Sequence, residues 1–126
     1  AIDRICRAFP DLKILMSHFG NPWWEETWTV LKSNRHCYAD FSGGTAITKA
    51  MSMWKELFAP DGNLHEQSVR KLVFASDGCP FLPEAGNYKK IVGFYDRLYD
   101  ELNLSDELRR KIDYENAETL FKLGNH

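Results

Sequence analysis

The strongest constraint in this sequence is a pattern that occurs three times: a short apolar run that stops abruptly at small polar residues. LKILM at residues 12–16 runs into Ser17-His18. CYADF at 37–41 runs into Ser42-Gly43-Gly44, and LVFA at 72–75 into Ser76-Asp77. The first and third runs are nearly continuous, as in strands covered on both faces. The second carries Asp40 inside it and is the weaker strand signal. Between the runs the period changes to that of helices. Trp24, Trp28 and Leu31 recur at i, i+4, i+7, and Ile47, Met51, Trp54 and Phe58 continue the same spacing, as do Ile91, Tyr95, Leu98 and Leu102. Ser105, followed by Asp106 and Glu107, reads as a helix N-cap, and Asn116 as a second one opening residues 117–123. Strands separated by helices require crossover connections, so the expected fold is α/β with a parallel sheet.

Charge and composition remove several classes of function. The 126 residues carry a formal net charge of -2 with Lys and Arg dispersed, which gives no electrostatic case for nucleic acid. No apolar run approaches the roughly 20 residues needed to span a bilayer, and charges at Asp3, Arg4 and Arg7 interrupt the N-terminal stretch, so neither a membrane span nor a signal peptide is expected. Cys6, Cys37 and Cys79 are odd in number and widely spaced, with no CxxC pair. Reduced thiols and a cytoplasmic location are the simpler expectation.

In a parallel sheet, function gathers at the C-terminal ends of strands. His18 and Asp77 stand at two such ends. An imidazole there can ligate a divalent metal or exchange a proton, and a carboxylate at a buried edge is costly unless it is paired, hydrogen-bonded or metal-bound. The structural alternatives are a hydrogen-bonded strand-end histidine and a loop cap. Ser42-Gly43-Gly44 is either a turn or a set of N–H groups facing an anion. Phe19 and Phe81 follow strand ends and are pocket candidates, with Ser42 beside them. Trp24 and Trp28 have the spacing of helix packing. Cys79 is close enough to Asp77 to face a pocket, and His36, His65 and His126 read as surface residues.

Four segments, in order along the chain, resemble the amidohydrolase-related metal-dependent hydrolases, the group that includes aminocarboxymuconate-semialdehyde decarboxylase-like enzymes. FPDLKILMSHFG is similar to their sixth strand, CYADFSG to the seventh, KLVFASDGCP to the eighth, and KIDYENAETLFKL to the closing helix. The resemblance implies a (β/α)8 TIM barrel with a divalent metal, zinc or manganese, at its mouth. It implies that Asp77 is the strand-8 metal ligand that handles the proton of a metal-activated water. His18 would be the strand-6 histidine, a metal ligand or an acid/base, acting on a small-molecule substrate by hydrolysis or decarboxylation. The His-x-His of strand 1 and the histidine of strand 5 have no counterpart here. A whole barrel takes about 250 residues. The expectation is therefore that residues 1–126 form one partial barrel domain, the C-terminal portion with strands 6–8. Its strand edges would be unpaired and open to a second copy or to a missing N-terminal half. Two functions compete: a catalytic fragment of such an enzyme, and an inactive half-barrel that serves for association. A flavodoxin-like binding domain ranks last, because no glycine-rich phosphate loop follows the first strand.

Overall fold

Each apolar run forms a strand, and each strand is shorter than its run. The computed structural model describes residues 1–78 and 86–122, with residues 86 and 87 as backbone only. β1 is Ile14–Met16, β2 Cys37–Asp40 and β3 Leu72–Val73. They form a parallel sheet in the order β1-β2-β3, with Ile14 opposite Cys37, Met16 opposite Ala39, and Asp40 opposite Val73. The helices are α1 (Ile2–Ala8), α2 (Trp24–Ser33), α3 (Met51–Phe58), α4 (Glu66–Val69), α5 (Gly86–Glu101), α6 (Asp106–Arg110) and α7 (Asn116–Phe121). The connections between the strands are helical, as parallel pairing demands.

The helices bury the faces that their apolar spacing marks. α2 buries Trp28 and Leu31, α3 buries Trp54 and Phe58, and α5 buries Ile91, Phe94, Tyr95 and Leu98. Ile47 falls outside α3, in a short 3-10 turn at Ala46–Thr48, so that helix starts a turn later than the spacing suggests. Beneath the C-terminal end of the sheet lies an aromatic core. Phe41 stacks on Phe19 at 5.0 Å between ring centroids and meets Trp54 edge-on at 5.0 Å. Such pairs add to the burial term and fix ring orientation. Tyr95 fastens the sheet to α5. Its hydroxyl accepts from Phe41 N and donates to Val73 O, both at 2.8 Å. Burial pushes this phenol well above its ordinary pKa, so it remains a donor.

The C-terminal segment differs from the sequence reading. Ser105 does cap α6, its Oγ accepting from Leu108 N at 3.3 Å. Asn116 caps nothing: α6 runs through a π-helical turn, Lys111–Glu115, into α7. The Asn116 amide faces the sheet instead and donates to Arg70 O at 2.6 Å and Leu72 O at 2.7 Å. Lys71 O is taken by Ala39 N on the β2 side. The alternating carbonyls of Arg70 and Leu72 therefore face outward, and Phe74 N on the same side donates to Ile112 O at 2.8 Å. The outer edge of β3, expected to be bare, is thus partly covered by this helical segment. The outer edge of β1 has no strand partner among the described residues.

Candidate active site at the C-terminal end of the sheet

Immediately after β1 the chain makes a tight 3-10 turn, Ser17–Gly20, in which His18 and Phe19 both take left-handed backbone, φ 57° and 49°. For non-glycine residues that conformation costs about 1–2 kcal/mol each. It is held by β2: the main-chain N–H of His18 donates to Asp40 Oδ1 at 3.0 Å. The turn directs the Phe19 ring down into the core and leaves the His18 ring at the rim, with 47% of its side chain exposed.

Asp40, the last residue of β2, organises this end of the sheet. It is 2% exposed, and the same Oδ1 also accepts from Ser42 N at 2.9 Å and Ser42 Oγ at 2.5 Å. A buried carboxylate is tolerable only when satisfied in this way. Ser42, 4% exposed, in turn meets the His18 ring, whose Nδ1 lies 2.9 Å from both Ser42 O and Ser42 Oγ. Gly43 has φ +77°, and a Cβ at this position would sit 3.0 Å from His18 Nδ1, so both backbone and space call for glycine. The loop offers no anion nest at Ser42 and Gly43. Ser42 N is spent on Asp40 and Gly43 N on Ser76 O.

Asp77 follows β3 in left-handed backbone, φ 53°, next to a turn in which Gly78 N donates to Ser76 Oγ at 3.1 Å. Its side chain is 64% exposed, and Oδ2 stands 3.9 Å from His18 Nε2. His18, Asp77, Ser42 and Gly43, with Asn21, Gly44 and Thr45, line an open depression of about 200 Å³. The donor types and their convergence fit part of a divalent cation's shell, since two ligands of a tetrahedral zinc lie about 3.4 Å apart. No group of three or more His, Cys, Asp or Glu side chains suited to a metal occurs among the described residues.

The structure thus brings together His18, Asp77 and Ser42 and keeps Phe19 apart. Phe19 is fully buried against Phe41, Trp54 and Phe58, where it supports the depression from below. Phe81, Cys79 and His126 lie outside the described residues. A larger groove of about 530 Å³ between α2 and α3, with Trp23, Trp24 and Met53 in its lining, lies away from these groups. His65 is exposed and set edge-on to Trp28, and His36 is partly buried beside Arg35. The residue that sequence reasoning missed is Asp40. Its signal was the one carboxylate inside an apolar run.

The comparisons with known proteins bear on the fold and the family. An uncharacterised TIM-barrel protein from Bordetella bronchiseptica superposes with a TM-score of 0.63 and 21% identity, over 99% of this chain and 39% of that one. The chain thus spans well under half the length of that structure, and at this identity the likeness is one of fold. No curated protein matches the chain. No described helix is long and apolar enough to cross a membrane. The family model for amidohydrolases matches residues 1–123, nearly the whole sequence, and the chain belongs to the amidohydrolase family.

Proposed function

We propose that this chain is the strand 6 to strand 8 portion of a metal-dependent amidohydrolase barrel. In this reading His18 and Asp77 act at its mouth on a small-molecule substrate. The observation that carries the reading is the approach of His18 Nε2 to Asp77 Oδ2, 3.9 Å apart at the ends of two strands that do not touch. His18 and Asp77 would hold a divalent cation, zinc or manganese, which when bound supplies Lewis-acid activation of a water. Asp77 accepts the proton of the attacking water, and His18 Nε2, where it is not spent on the cation, exchanges a proton with the substrate instead. Hydrolysis is the first reading. In a decarboxylase-like relative the same nitrogen would protonate the carbon that loses its carboxylate. Asp40, Ser42 and His18 are not a serine-hydrolase triad, because serine stands between the acid and the imidazole and its proton is given to the acid.

Two ligands are fewer than such a site needs, and three strands cannot close a barrel. The remaining strands come, in this proposal, from an N-terminal half or a second copy docking at the open edge of β1. Alone, the chain would hold metal weakly and turn over little substrate. The free edge also favours the second reading, an association domain without catalysis. A reducing, cytoplasmic setting is part of the proposal because the three cysteines are odd in number and widely spaced in the sequence.

Thermal unfolding with and without millimolar Mn²⁺ tests the catalytic reading, because a ligand that binds only the folded chain raises Tm. The expected result is a Mn²⁺-dependent rise that Asp77→Ala abolishes without lowering Tm in plain buffer, and that His18→Ala also abolishes, from the lower Tm its lost bonds to Ser42 give it. A rise that survives both substitutions, or none in the wild type even as Mn²⁺ is raised well beyond millimolar, would overturn it.

A further inference from the structure

Asp40 and Ser42 contact His18 on the side of the ring away from Asp77, and the proposed chemistry gives them no task. Proton counting supplies one. A main-chain carbonyl can only accept, so the 2.9 Å approach of His18 Nδ1 to Ser42 O requires a proton on Nδ1. The Ser42 hydroxyl has one proton, and its 2.5 Å contact with Asp40 Oδ1 uses it, because the carboxylate also receives His18 N–H and Ser42 N–H on that oxygen. Ser42 Oγ therefore turns a lone pair, not a proton, toward Nδ1 at 2.9 Å. The neutral ring is left with its Nε2 lone pair facing the mouth and Asp77.

We propose that Asp40, acting through Ser42, is a positioning residue that holds neutral His18 as the Nδ1–H tautomer and so keeps Nε2 free to ligate a cation or take up a proton. Histidine in water favours the opposite tautomer, with the proton on Nε2, which at this site would close that nitrogen to both tasks. Two features suit such a device. Asp40 and Ser42 are buried, so water does not compete for their bonds. Asp40 also holds the His18 main chain, so one oxygen sets both the backbone turn and the direction of the serine proton. Hydrogen bonding at one ring nitrogen fixes what the other can do. The proposal rests on the assignment of His18 to the site, but it is tested without metal or substrate.

The test is the long-range ¹H–¹⁵N spectrum of His18 in the metal-free chain, taken at about pH 8.5, above the ordinary imidazole pKa of about 6.5. The expected wild-type signature is a protonated, pyrrole-type Nδ1 and a pyridine-type Nε2. A protonated Nε2 would overturn the proposal. In Asp40→Ala the serine proton is released to turn toward Nδ1, and a measurable Nε2–H population should appear. Asp40→Asn, which keeps an acceptor oxygen, should restore the wild-type pattern. Should Asp40→Ala fail to fold, Ser42→Ala serves in its place and should also yield a mixture of tautomers. An unchanged Nδ1–H signature in Ser42→Ala, or in a folded Asp40→Ala, would show that the main-chain carbonyl alone sets the tautomer and would overturn the role of the acid. Loss of the Mn²⁺ effect on Tm with these signatures intact would remove the metal reading and leave this one standing.

Discussion

The two ends of the sheet use polar side chains in opposite ways. At the N-terminal end, the Asn116 amide and the Lys71 ammonium are spent on main-chain carbonyls. Asn116 binds those of Arg70 and Leu72, and the partly buried Lys71 ammonium binds those of Leu31 and Asn34, closing the end of α2. At the C-terminal end, Asp40 and Ser42 bind a left-handed turn and one side of an imidazole, and among the described residues two groups remain uncommitted at the rim, His18 Nε2 and Asp77. Both ends hold a histidine and an amide, His36 and Asn116 at one and His18 and Asn21 at the other. In the proposed reading, what would make one end chemical and the other structural is the hydrogen-bonding capacity left facing solvent, not the residue types present.

Four substitutions or conditions would break or sharpen this contrast. Tyr95→Phe should have the largest effect. It strips the buried Phe41 N–H and Val73 O of their shared partner, at about 1–3 kcal/mol for each group left unpaired. Urea denaturation should show a lower midpoint with an unchanged slope. Asn116→Ala should follow at about 2 kcal/mol, because Leu72 O and Arg70 O lose their donor. It should leave the His18 resonances in place, whereas an equal disturbance at His18 would mean that the two ends are not separable.

Alkaline pH comes third. Burial and the Cys6 thiol push Cys37 up from its ordinary 9.0 to about 12. Its raised folded pKa contributes stability that is full below about 9 and is lost as pH rises toward 12, where the unfolded chain has released the proton. Lys71, lowered by burial, acts with the opposite sign just below its ordinary 10.5. Cys37→Ala should flatten the alkaline limb of a stability-versus-pH curve, and an unchanged limb would contradict the burial argument. Asp77→Ala should matter least to folding, within about 0.5 kcal/mol in the same urea assay, because its carboxylate is largely exposed. A loss above about 1 kcal/mol would make it a structural cap.

Much of the fold was legible in the sequence because its signals are local. The three strands fall inside the three apolar runs, and Ser105 caps as its neighbours suggest. Asn116 was misread because asparagine before Ala-Glu-Thr-Leu looks like a cap. Its spacing from Leu108 and Ile112, four and four, marks the buried face on which it sits, and that pattern was present in the sequence. Phe19 was misplaced for a different reason. Only the left-handed turn at His18, which depends on Asp40 in the next strand, directs the ring inward. The placement of His18 and Asp77 at one rim was readable from strand-end position. The Asp40–Ser42 arrangement that orients His18 was not, because it exists only once β2 lies beside β1.

The central claim, that the C-terminal end of the sheet is the chemical end, is tested most directly by adding substoichiometric Mn²⁺ to the ¹⁵N-labelled chain and mapping paramagnetic broadening. The account predicts loss of signal at His18, Gly43 and Asp77, with Cys37, Lys71 and Asn116 sharp, and recovery of the lost signals in Asp77→Ala. Broadening centred on the N-terminal end, or spread evenly over the surface acids and unchanged by Asp77→Ala, would contradict it.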